Sequence, residues 1–132
     1  MILDASVVLK WFVEEKDSDK ARQIQNEYSA GRISIVVPDL LLSEVANALR
    51  FNRNFTRHDI DDALSALSQM GIETMPIGYE LVKSAVRLAY DNDITVYDAI
   101  YFALAGELLD DFITADKRLC EKLDNFPFVK LL

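Results

Sequence analysis

The sequence predicts a three-layer α/β/α fold around a mainly parallel sheet of five strands, formed as one domain over residues 1–132. Three observations carry that expectation. Short apolar runs rich in β-branched residues alternate with longer segments of helical periodicity, the pattern of strands joined by helical crossovers. Two of those runs end directly on an acid, at Asp4 and Asp116. The chain has 132 residues, 51% hydrophobic and 27% charged, enough for one domain with a sizeable core.

Each element can be read in order. "ILD" (Ile2, Leu3, Asp4) is a buried first strand closed by its acid, and "SVVLKWFVEE" continues with mostly helical spacing. "SDKARQIQNEYSAG" reads as a helix with Ser18 as N-cap and Gly31 as the stop. "ISIVVP", Ile33 to Pro38, is the second strand. In "DLLLSEVANALRF", Leu41, Val45, Ala48 and Leu49 share one helical face. "TRHDIDDALSALSQMG" opens with Thr56 and Asp59 at capping-box spacing and stops at Gly71. "IETMPI" is a weaker third strand, and "YELVKSAVRLAY" and "VYDAIYFALA" are helices on either side of the turn-like "DND". "FITA" gives a fourth strand that ends at Asp116, "KRLCEKL" a short helix, and "FVKLL" a fifth strand.

Composition removes several classes of function. No stretch approaches the ~20 continuous apolar residues of a membrane helix. Cys120 is the only cysteine, which excludes an internal disulfide and fits a reducing cytoplasm. With one cysteine and one histidine, His58, a zinc site of the Cys/His type lacks ligands. A dinucleotide site needs a glycine-rich first turn, and here that turn reads "DAS". A phosphoacceptor receiver needs an acid after its third strand, where this chain has "MPIGYE". The formal net charge of −8 argues against a general nucleic-acid binder and suits a protein that binds cations or a basic partner.

The positions of the acids are therefore decisive. In open α/β sheets ligands bind beyond the carboxyl ends of the strands, where strand order reverses. Asp4 and Asp116 fall at that edge, Glu44 about one helical turn after the second strand, and Asp98 one turn into the helix before the fourth. Every one of them has an ordinary reading as well. Asp4 and Asp116 can cap the helices that follow, Thr95 and Asp98 match a capping box, and Glu44 can be a solvated helix acid. If the four share one cleft their charges repel, and a hard divalent cation, Mg²⁺ or Mn²⁺, resolves the repulsion through an all-oxygen site. Such an ion also joins an acidic protein to a polyanionic substrate.

Four segments, "ILDASVVLKWF", "LLLSEVANALR", "VYDAIYFALA" and "ITADKRL", occur in the order found in the PIN-domain family, and the chain most closely resembles the VapC-type ribonuclease toxins. The resemblance implies strand order 3-2-1-4-5 and a Mg²⁺ (or Mn²⁺) site made by Asp4, Glu44, Asp98 and Asp116. It further implies an RNA substrate, a homodimer and a small VapB-type antitoxin protein as partner. On that reading Asp4, Asp98 and Asp116 hold the principal ion, and Glu44 helps with a second ion or orients water. Ser6 and Thr114 orient carboxylates or phosphate. Water activated by the ion attacks phosphorus in line and leaves 5′-phosphate and 3′-hydroxyl ends. Lys10, Lys117 and Arg118 are candidate phosphate contacts whose simpler reading is solvated charge. A housekeeping RNA-processing nuclease and a non-catalytic module that binds a basic partner are the alternatives.

Overall fold

A computed structural model describes residues 1–132. Its five strands, β1 (Ile2–Leu3), β2 (Val36–Pro38), β3 (Glu73–Met75), β4 (Phe112–Thr114) and β5 (Val129–Leu131), form one sheet in the order β3-β2-β1-β4-β5. Every neighbouring pair is parallel, with Ile2 opposite both Val36 and Phe112. Ile2 and Leu3 are adjacent, so they point to opposite faces, and both are fully buried. Both faces of the sheet are thus covered, and the fold is three-layer α/β/α.

Seven helices do the covering: α1 (Ala5–Val8), α2 (Ser18–Ser29), α3 (Leu40–Phe51), α4 (Arg57–Met70), α5 (Tyr79–Asn92), α6 (Val96–Leu108) and α7 (Lys117–Lys122). The centre belongs to α6, which is buried without interruption from Ala99 to Ala105. A helix apolar on all sides needs cover on all sides. It packs on β1, β2 and β4 and is backed by α5.

Several local expectations are corrected. The helix after β1 stops at Val8 and tightens into a 3₁₀ turn, Leu9–Trp11. The chain is then fastened back by Lys10 Nζ, which donates to Glu15 Oε1 (3.0 Å) and to the Lys16 carbonyl (2.9 Å). Ser18 is not the N-cap of α2; Asp17 holds that position in a left-handed conformation (φ 63°). The Ser18 hydroxyl is buried instead, accepting from the Glu15 N–H and donating to the Val13 carbonyl. The second strand covers only Val36–Pro38, because pairing to β1 begins at Val36. The Thr56–Asp59 capping box and a left-handed Gly71 bound α4 as the sequence indicates.

Strand order follows from connection. The chain adds β2 and β3 on one side of β1, then crosses over through α5 and α6 to lay β4 and β5 on the other. The reversal lies between β1 and β4, and the crevice at their carboxyl ends is where a ligand site is expected in such a sheet.

Candidate active site

Asp4 follows β1 at that reversal point. Its side chain is buried, and both the Ser6 hydroxyl and the Thr114 hydroxyl donate to the same oxygen, Oδ2, at 2.6 Å each. No side chain donates to the other oxygen, Oδ1. The two hydroxyls are themselves fixed: the Ala115 N–H donates to Ser6 Oγ and the Asp116 N–H to Thr114 Oγ1, each at 3.0 Å. These bonds tie the start of α1 to the turn after β4. Burial pushes the Asp4 carboxyl above its ordinary value, Ser6 and Thr114 oppose the shift, and the nearby charge of Asp98 adds to it.

Glu44 stands in the second turn of α3, half-buried, and its Oε2 accepts the Tyr101 hydroxyl at 2.5 Å. Burial raises its carboxyl too; the Tyr101 bond opposes this, and Asp4 and Asp98 add to it. Tyr101 is 1% exposed, lies nearly parallel to Phe112, and keeps its hydroxyl protonated because burial and the Glu44 charge both push its pKa up. Sequence reasoning does not single out Tyr101 as a partner of Glu44. The signal for its role is a polar-tipped ring inside an otherwise apolar helix, where a buried hydroxyl needs a partner.

Asp98 occupies the first turn of α6. The Thr95 hydroxyl accepts the Asp98 N–H at 3.0 Å and donates to Asp98 Oδ2 at 2.7 Å. Half of a capping box is therefore present, and the carboxylate takes a hydroxyl donor in place of the expected backbone amides. Asp116 does cap its helix: Oδ1 accepts the N–H groups of Arg118 (2.8 Å) and Leu119 (3.1 Å). Asp98 and Asp116 line one cleft of about 350 Å³ together with Thr95, Arg118 and Lys122. Lys122 is occupied there by the carbonyl and carboxylate of Asp93.

The predicted residues therefore form two linked halves. Asp4, Glu44 and Asp98 sense one another's charge, and Asp98 shares its cleft with Asp116. Of the candidate cations, Lys10 is neither solvated nor free, since it is buried in its contacts to Glu15 and Lys16. Lys117 is exposed and meets Glu121 at 3.5 Å, whereas Arg118 makes no ion pair and faces the cleft.

A hard divalent cation suits this donor set in kind. All of its side chains offer oxygen, and the carboxyls of Asp4 and Glu44 are pushed toward protonation by burial and by neighbouring charge, which a cation would reverse. The carboxylates are not drawn together, however: no three Asp, Glu, His or Cys side chains stand close enough to hold one ion between them.

Comparison with known proteins bears on the fold and the family. A PIN domain matches residues 1–124. Ribonuclease VapC3 of Pyrobaculum aerophilum is 31% identical over 126 residues, covering 92% of this chain and 93% of that protein. The fold is shared with the chain of a toxin–antitoxin complex from Klebsiella pneumoniae (TM-score 0.72, 17% identity, 98% of this chain and 94% of that one). It is also shared with Mycobacterium tuberculosis VapC20, described as a toxin that cleaves the sarcin–ricin loop (TM-score 0.72, 14% identity, 91% and 92% covered). The chain belongs to the PIN-domain family. Its relatives are of the VapC type.

Proposed function

We propose that this protein is an endoribonuclease dependent on Mg²⁺ or Mn²⁺. We place it as the toxin of a toxin–antitoxin pair, acting in the cytoplasm as a homodimer and restrained by a small VapB-type protein. The observation that carries the reading is the placement of Asp4, Glu44 and Asp98 within range of one another's charge around the β1–β4 reversal, where burial and mutual repulsion leave acidic oxygen donors in want of positive charge. A chain with formal charge −8 gains nothing in stability from that concentration of acid. Its use is to hold a cation against a polyanion.

Asp4, Asp98 and Asp116, which do not surround a common point without it, would have to draw together to hold the principal ion, with Glu44 beside them. When bound, the ion supplies activation of water and neutralises charge developing at the phosphodiester. The remaining work falls to the chain. Ser6 and Thr114, both donating to Asp4 Oδ2, fix the carboxylate and leave Oδ1, which no side chain engages, as the oxygen that would bind the ion. Asp116 spends one oxygen on the backbone of α7 and keeps the other for the site. Glu44, its carboxyl biased toward the protonated form and held by Tyr101, orients water and accepts its proton. Arg118, on the cleft wall, meets phosphate.

The test is cleavage of RNA with Mg²⁺ or Mn²⁺, repeated with EDTA and with Asp4→Asn and Asp98→Asn. Activity is expected to vanish in all three controls. Cleavage that survives both chelation and substitution sinks the mechanism. Growth arrest on expression, relieved by a co-encoded small protein, separates the toxin from a processing nuclease.

A further inference from the structure

Outside the cleft, one stretch departs from the acidic character of the chain. Between Val45 and His58 there are three arginines, a histidine and no acid. The segment joins α3 to α4, two helices packed on one another, and forms the tip of their hairpin. Arg50 closes the last turn of α3 and Phe51, a residue 77% exposed, ends it. The connection is well fixed: Asn52 Oδ1 accepts the Asn54 N–H, the Asn52 carbonyl accepts the Phe55 N–H, and Phe55 packs against the core. Arg53 therefore projects from a held turn, and neither it nor Arg50 makes an ion pair. Arg57 meets Asp61 only at 3.9 Å. Arg50, Phe55, Arg57, Ile60 and Asp61 line a hollow of about 400 Å³.

An exposed phenylalanine among three arginines, two of them unpaired, is poor for solubility and good for a flexible polyanion with flat bases. Guanidinium groups pair with phosphate oxygens, and a free aromatic face stacks any base. Position adds to this. Phe51 is seven residues beyond Glu44, so it lies on the same face of α3, about 10 Å further along the axis. A strand leaving the acids along that face reaches the ring next.

We propose that the α3–α4 tip is a docking site for single-stranded RNA, with Arg50, Arg53 and Arg57 on phosphates and Phe51 stacked on a base. It positions the substrate and takes no part in the chemistry. This rests on the ribonuclease reading above and adds to it a second point of substrate contact.

The experiment measures binding of a fluorescein-labelled oligouridylate to the whole protein in EDTA, by anisotropy over a range of salt, followed by steady-state cleavage with Mg²⁺. Phe51→Ala is expected to weaken binding about tenfold with the salt slope unchanged, and Phe51→Trp to restore it. Arg50→Gln with Arg53→Gln should lower the slope of log K against log salt by about 1.4. In cleavage both variants should raise KM and leave kcat, as loss of uniform binding does, whereas Asp98→Asn removes kcat. All these side chains are exposed or at the surface, so unchanged circular dichroism is expected. Unchanged affinity, slope and KM in folded variants, while the parent still cleaves RNA, overturn the docking site and leave the nuclease standing. A parent that neither binds nor cleaves RNA brings down both. Variants that lose binding to poly-L-glutamate, with RNA affinity intact, assign the tip to an acidic polypeptide and overturn it too.

Discussion

Asp4 and Asp116 follow neighbouring parallel strands, yet the protein holds their carboxylates by opposite means. Asp4 is sunk among apolar residues, with two hydroxyls on one oxygen and a carboxyl raised by burial. Asp116 is exposed and held by two backbone amides at the start of α7, an arrangement that ordinary helices use for stability. Asp98 is closer to Asp116 in manner, being kept by Thr95 in the first turn of α6. One wall of the site is thus fixed against the interest of the fold, and the other in accord with it. If both walls serve one cation, loss of either carboxylate should have opposite effects on stability and like effects on activity.

The largest effect expected is on turnover: Asp4→Asn and Asp98→Asn should each lower RNA cleavage by at least about 10²-fold, the scale seen when a preorganised charge contact is removed. The stabilities of variants at Asp4 and Asp116 should diverge without metal. Asp4→Asn removes a desolvated charge while its amide carbonyl still accepts from Ser6 and Thr114, so the variant should melt higher than the parent. Asp116→Ala, by contrast, should cost about 1 kcal/mol through the lost cap, read by urea denaturation. A lower melting temperature for Asp4→Asn would break the contrast.

pH sharpens it. The folded carboxyl of Asp4 lies above its unfolded value of 3.8, so its penalty is absent below that value and grows as pH rises toward the folded one. The gap in melting temperature between Asp4→Asn and the parent should therefore be widest at neutral pH and close on acidification below about pH 4. Asp59, lowered by its bonds to Thr56, runs the other way: its contribution is present above 3.8 and is lost as pH falls through its folded value.

Smaller effects test the supports. Thr114→Val strips a donor from Asp4 and an acceptor from the Asp116 amide; it should lower activity 10- to 100-fold and cost about 1–3 kcal/mol. Tyr101→Phe leaves the ring in place but frees Glu44, and should cost about 0.5–1.5 kcal/mol with a shifted pH–rate profile. Lys117→Gln, at an exposed pair, should change stability by less than about 0.5 kcal/mol.

Where sequence and structure agree, local chemistry decides. The α4 box, the cap at Asp116 and the helix around Asp98 are each set by side chains within four residues of the backbone they satisfy. The alternation of strand and helix likewise reports the parallel sheet. What the sequence hid depends on distant partners. The partner of Ser18 is the Glu15–Val13 turn in place of its own helix, and Lys10 looks like solvated charge until the chain folds back upon it. Tyr101 acquires its role from Glu44, 57 residues away, which no window of periodicity spans.

The bond from Thr114 to Asp4 joins residues 110 apart. Its consequence is temporal. The hydroxyl that aims Asp4 is synthesised 110 residues after the acid itself, and β4 must then dock beside β1. A contact of such long range carries a loop-closure cost that no local segment can offset, so Asp4 is aimed only once β1 and β4 have met. The aim of this carboxylate is in this way set by closure of the sheet at its centre, and not by the segment that carries it alone.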